Sequence, residues 1–271
     1  MKHIYLMFCV VCDMCSLRRY YLYGLTKTDV MDTNEINKGF IYSDQIPMFG
    51  HKDIVGYGTK GFFVKEIDRD LANKTIVKNH YSKKTYNGTY VNLGVFVAGE
   101  FLGVLQYGYA MNPASCASVV DGTEMNQYLE LNRMWLDDKA ERNSESMAIA
   151  YSIKYIKGKL KTIKWIQSFA DERCGGLGIV YQACSFKFYG EHTSSFWELG
   201  DIVYHNTSMT VSVKSERYKN NVGGCRFLQT NKDQATKHDL RQFRYIKFLD
   251  NSWIQKCKHK EKPYLKHYNN D

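Results

Sequence analysis

Ser168-Phe169-Ala170-Asp171-Glu172-Arg173-Cys174-Gly175-Gly176-Leu177-Gly178-Ile179-Val180-Tyr181 is the stretch whose reading decides the fold. The run Thr162–Phe169 is apolar enough for a buried strand, glycines then turn the chain, and Gly178–Cys184 reads as a short helix. Open α/β sheets bind ligands at the carboxyl ends of their strands, where such a strand–turn–helix junction lies. Asp171 at the strand end and Tyr181 about one helical turn in are therefore expected to face one crevice. Taken singly, each has an ordinary explanation, a turn cap for Asp171 and core packing for Tyr181.

Working outward, Tyr128–Leu136 reads as a strand and Asn143-Ser144-Glu145-Ser146 opens a strong helix, with Asn143 or Ser144 as N-cap and Gly158 as a C-cap. Upstream, Tyr90–Val97 and Phe101–Tyr109 form a hairpin across Ala98-Gly99-Glu100. Gly61–Glu66 is a first strand, and Asp68–Asn79 a helix that Asp68 can cap. Downstream, Phe196–Tyr204 and Met209–Val213 read as closing strands. The order β-α-β-β-β-α-β-α-β-β specifies a mixed α/β layer. Residues 1–55 read as an irregular, cysteine-rich extension, and 56–271 as one compact domain.

The chain has 271 residues and a formal net charge of +9. The surplus is uneven: residues 214–271 carry 14 Lys/Arg against 6 Asp/Glu. A basic segment interleaved with Phe243, Tyr245, Phe248, Trp253, Tyr264 and Tyr268 suits a polyanion with stackable bases, and equally a solvated lysine-rich terminus. Eight cysteines are scattered along the chain, which fits a reduced intracellular protein rather than a disulfide scaffold. Cys9, Cys12 and Cys15 have metal-site spacing, and His3 is the only candidate nearby for the fourth ligand such a site needs, so the segment reads rather as a poorly ordered extension. The apolar run Ile4–Val11 is too short to span a bilayer, so no membrane partner is expected.

His80-Tyr81 at a helix end offers an imidazole and a phenol. With Asp171 and Tyr181 they make one nitrogen and three oxygen-bearing groups, a set that suits iron better than zinc, or equally a metal-free proton relay. Arg173-x-x-Gly176-x-Gly178 matches the R/Q-x-x-G-x-G/A loop with which GNAT (N-acetyltransferase) enzymes hold the coenzyme A pyrophosphate. In that fold, however, the loop follows the fourth strand and here it follows the fifth. The strand in the expected place is Glu130–Leu136, and the glycine-free Asp137–Ser146 follows it. A pyrophosphate there would need Arg133 and the Asn143–Ser146 helix start to hold it differently. Val180-Tyr181-Gln182-Ala183-Cys184-Ser185-Phe186 resembles a GNAT fragment in which the Tyr is a general acid, with Ser185 where that fragment has Gly.

Asn79-His80-Tyr81-Ser82, Leu93-Gly94-Val95-Phe96, Gly103-Val104-Leu105-Gln106-Tyr107-Gly108, Glu130-Leu131-Asn132-Arg133-Met134, Asn143-Ser144-Glu145-Ser146 and Ser168 through Ala183 together resemble the Mom family of bacteriophage DNA-modification proteins. So do Arg244-Tyr245-Ile246-x-Phe248-Leu249 and Pro263-Tyr264-Leu265-Lys266. The resemblance implies a GNAT-like mixed central sheet flanked by helices. It implies conversion of adenine in double-stranded DNA to N6-carbamoylmethyladenine, protecting phage DNA from restriction in the cytoplasm of a bacterial host. It further implies iron or catalytic roles for His80, Tyr81, Asp171 and Tyr181, and activity roles for Arg133 and Ser146. Acetyl-CoA or another small-molecule donor would then lie by Arg133, Asn143, Ser144 and Ser146. A homodimer is compatible with it. An acyl-CoA-dependent N-acyltransferase and a non-catalytic DNA-binding protein are the competing readings.

Overall fold

The computed structural model describes residues 38–44 and 52–266, so the Cys9/Cys12/Cys15 cluster lies outside the described residues. One sheet organises them, in the order β1-β2-β3-β4-β5-β6-β7-β10-β8-β9. Its first strands are β1 (Gly39–Tyr42), β2 (Ile54–Thr59) and β3 (Phe62–Glu66). Residues 39–42 and 54–55 thus belong to the sheet, inside the stretch expected to be irregular. The polar sequence there hides the signal, because an edge strand buries few of its side chains.

Helix α1 (Arg69–Asn79) follows, with the Asp68 carboxylate accepting the Asp70 backbone N–H at 2.7 Å. It ends where His80 turns to extended backbone, and the His80 N–H still donates to Ile76 O. Strands β4 (Thr89–Val97) and β5 (Glu100–Gly108) form the expected hairpin. After a short helix α2 (Cys116–Val119) comes β6 (Tyr128–Leu136), then α3 (Ser144–Lys159) and β7 (Trp165–Asp171). Helix α3 runs one residue past Gly158, which is not its cap. A side chain at Gly158 would run into the Phe40 ring, so the glycine lets β1 close down on the helix.

The chain continues through α4 (Ile179–Ala183), β8 (Lys187–Leu199) and β9 (Ile202–His205). The expected single strand Phe196–Tyr204 is therefore two strands, with Gly200 at the turn. Met209–Val213, expected as a strand, instead falls at the end of helix α5 (Asn206–Thr210). Helices α6 (Glu216–Lys219) and α7 (Cys225–Thr230) lead to β10 (Thr236–Phe248). The basic region is therefore no tail over residues 214–266: β10 inserts between β7 and β8, and Phe243, Tyr245 and Ile246 are buried. Its charged residues alternate with apolar ones, which is the pattern of a strand.

Side chains alternate across the sheet, so β3 places Phe62 and Val64 in the core under α3 and Phe63 in the core under α1. Every strand pair is antiparallel except β6–β7. A parallel pair requires a crossover, which α3 supplies. The β6–β7 pairing covers only Tyr128–Glu130 with Trp165–Gln167. Beyond it β6 follows β5 and β7 follows β10, so the two strands part and leave a gap in the sheet.

Candidate active site

A cleft of about 370 Å3 occupies that gap. Its walls include Leu131–Met134 from β6, Phe169–Asp171 from β7, Gly176–Tyr181 from the turn and α4, and His80-Tyr81 from the end of α1. His80, Tyr81, Arg133, Asp171 and Tyr181 therefore line one space, although they come from separate stretches of chain. The α1 cap delivers the first two, and the parting of β6 from β7 exposes the others.

Asp171 ends β7 and caps the next turn. Its Oδ1 accepts the Arg173 backbone N–H at 2.9 Å, and its Oδ2 accepts from the Arg173 guanidinium at 3.1 Å. That guanidinium lies 4.9 Å from the Tyr81 ring centre and 4.7 Å from that of Phe196. Arg133 has no carboxylate within 4.0 Å among the described residues; one guanidinium N–H donates to Asn132 O at 2.7 Å, and Tyr86 lies beneath it. The Nε atoms of both arginines are buried and unpartnered.

The imidazole of His80 is 6% exposed. Its Nδ1 accepts the Ser82 backbone N–H at 3.1 Å and lies 2.9 Å from Ser82 Oγ. Burial, then Arg133 and Arg173, push its pKa down to about 4, so the ring is neutral at neutral pH. Desolvation at the cleft, helped by Cys174 and Asp171, also raises the Tyr81 phenol, although the residue as a whole is 54% exposed. Tyr181 is raised by burial as well, against the lowering effect of a hydrogen bond with Ser168. Both phenols hold their protons at neutral pH.

The remaining donor-side residues sit elsewhere. Asn143, Ser144 and Ser146 begin α3 and do not line the cleft that Arg133 lines. Asn143 has left-handed backbone (φ 73°) and makes no side-chain cap. Ser144 is buried, and Ser146 Oγ donates to Asn143 O at 2.9 Å. The Arg173-x-x-Gly176-x-Gly178 loop precedes α4, not α3, and forms part of the cleft wall.

Sequence reasoning missed three cleft neighbours. Cys174 lines the cleft beside Tyr81. Asn132 lines it too and donates to Glu130 Oε1 at 2.9 Å. Glu130 also accepts from Gln167 at 2.8 Å, and its burial raises the carboxyl pKa. A carboxylate inside an apolar strand was the available signal for that network.

A mixed sheet whose parallel strands part around a cleft carrying a few convergent polar groups, with helices on both faces, defines the architecture. The chain belongs to the Mom protein family, whose model matches residues 61–266. It is 46% identical over 199 residues to the protein named methylcarbamoylase mom of Escherichia phage Mu, covering 73% of this chain and 79% of that one. Solved structures with a similar chain path include Arabidopsis thaliana NAA60 in complex with acetyl-CoA (TM-score 0.43, 8% identity, 69% of this chain and 99% of that one). Another is a GNAT-family acetyltransferase from Streptococcus pneumoniae (TM-score 0.38, 9% identity, 69% and 98%). Among the described residues, no helix is long and apolar enough to cross a membrane.

Proposed function

We propose that this protein is a DNA-modifying transferase that converts adenine in phage DNA to N6-carbamoylmethyladenine inside the host cell, shielding it from restriction. The observation that carries the reading is the convergence of Asp171, Tyr181, Arg133, His80 and Tyr81 in one cleft of a Mom-family chain. The relative in phage Mu bears the name methylcarbamoylase, which fits that product.

The adenine amine is conjugated with its ring and is a weak nucleophile. A base inside a duplex must also leave the stack to reach a cleft. Asp171 takes the proton that the amine loses as its nitrogen bonds to the donor's carbon. Tyr181, kept protonated by burial, gives its proton to the departing group. Arg133, desolvated and without a carboxylate, stabilises negative charge on the donor. Tyr81, 54% exposed, offers a face for the extruded base. The donor is a small molecule held by Arg133. The start of α3, with Ser146, supports α4 through the Cys184 thiol, which lies 3.1 Å from Ser146 O.

Iron is the finer expectation, with His80, Tyr81, Asp171 and Tyr181 as ligands. The arrangement does not fit it. His80 Nδ1 accepts a backbone N–H, which leaves the proton on Nε2, and Asp171 is engaged by Arg173. The Arg133 guanidinium lines the same space, and that of Arg173 lies 3.1 Å from Asp171 Oδ2 beside it. No step is drawn through iron.

Mass spectrometry of nucleosides from cells expressing the protein tests the proposal. An adenosine heavier by one carbamoylmethyl group, absent with Asp171→Asn, is the expected result. Unmodified DNA from cells holding soluble protein defeats it.

A further inference from the structure

The expected basic tail divides into two parts. On β10 and beyond it, Lys237, Arg241 and Lys258 pair with carboxylates, whereas Arg244, Lys247, Lys256, Lys260, Lys262 and Lys266 have no such partner among the described residues. The helical insert 206–235 lies between β9 and β10, and of its five Lys/Arg only Lys219 is paired, with Glu216. Lys214, Arg217 and Lys232 are exposed and have no carboxylate within 4.0 Å among the described residues. Arg226 donates to Lys219 O and lies 5.6 Å from the Tyr218 ring centre.

The insert is a built element rather than a loose loop. Leu228 packs with Leu199 and Tyr204. Gln229 donates to Ser208 O and Val211 O, and Trp197 Nε1 donates to Asn206 Oδ1 at 2.9 Å. The insert thus presents its unpaired cations on a fixed scaffold.

Its position is set by register. Strand β7 stops at Asp171, opposite Gln242, while β8 and β10 pair on from there to Glu198 and Thr236. The extension therefore projects past the strand end on which Asp171 sits. Phe196 on it stacks against Arg173, which stacks in turn on Tyr81 of the cleft wall. Lys84, three residues from Tyr81, donates to Val203 O at 2.7 Å and lies 4.7 Å from the Tyr204 ring centre. The β8–β9 hairpin thus forms the rim of the cleft and carries the insert beside its mouth.

We infer that the insert 206–235 grips the sugar–phosphate backbone of duplex DNA on one flank of the target base, through Lys214, Arg217 and Arg226. The inference rests on the DNA-modifying reading. Such contacts fix the register of the duplex over the cleft and carry no sequence information. They release counterions, so they make binding depend steeply on salt.

The test measures affinity for an unmodified 20-base-pair duplex across a salt series, with the full-length protein. The variant K214A/R217A/R226A is expected to flatten the slope of log affinity against log salt by about 3, roughly 1 per cation. The comparison variant K154A/K157A/K161A removes the same charge from exposed positions around the end of α3, and its slope should match the unaltered protein. Equal melting temperatures confirm that both variants fold. An unchanged slope for the insert variant, equal flattening by the α3 variant, or no DNA binding by the unaltered protein overturns the inference. Nucleoside mass spectrometry reports on the parent reading separately: modified adenine with an unchanged slope defeats only the insert's role.

Discussion

Arg173 holds Asp171 at 3.1 Å while its guanidinium is stacked between Tyr81 and Phe196. One residue thereby fixes the carboxylate, the end of α1 and the β8–β9 rim relative to one another. If Arg173 acts through Asp171, the two are coupled. Arg173→Ala should lower kcat by less than Asp171→Asn does, and the double variant should be no worse than Asp171→Asn alone. A double-mutant cycle on single-turnover rates checks this, with a coupling of about 0.5–3 kcal/mol expected. Strict additivity would show that the pair does not work as a unit.

Tyr181→Phe keeps the ring that packs against Phe186 and Tyr245 and removes only the hydroxyl that carries the proton. Modified adenine should fall by about 10²–10⁴-fold, with the melting temperature nearly unchanged. Retention of full activity would remove Tyr181 from proton transfer.

His80 makes stability depend on pH. The unfolded imidazole binds a proton near its ordinary pKa of 6.5, whereas the folded one does so only near 4. The unfolded chain therefore gains protons first as pH falls. Stability is intact above about 6.5, declines between 6.5 and 4, and has no further His80 contribution below that. The loss is on the order of 2–3 kcal/mol. Urea unfolding at a series of pH values should show this decline, and His80→Gln should flatten it.

Gly178 precedes α4 with φ 74°, and a side chain there would meet the Tyr245 ring at 2.3 Å. Gly178→Ala therefore imposes both backbone strain and displacement of a ring that touches Tyr181. A destabilisation of about 1–3 kcal/mol is expected, together with lost activity. Calorimetry and nucleoside analysis on one preparation would check both, and a neutral effect on both would show that the turn has room to relax.

The sequence by itself determined the local elements around the site. Hydrophobic period, the Asp68 cap and the Gly175–Gly178 turn specified α1, the β4–β5 hairpin, β6, α3, β7 and α4, because each signal acts within a few residues. The family motifs likewise pointed to His80, Tyr81, Arg133, Asp171 and Tyr181 before their proximity was visible. Only the tertiary structure decided that β10 inserts beside β7, because a half-polar strand is indistinguishable from a basic tail until its neighbours bury one face. It alone showed that Asn143, Ser144 and Ser146 are not in the cleft wall with Arg133, and it alone placed Lys84 and Phe196 beside that wall. Those relationships join residues far apart in the chain, and local propensity carries no information about which distant surfaces meet.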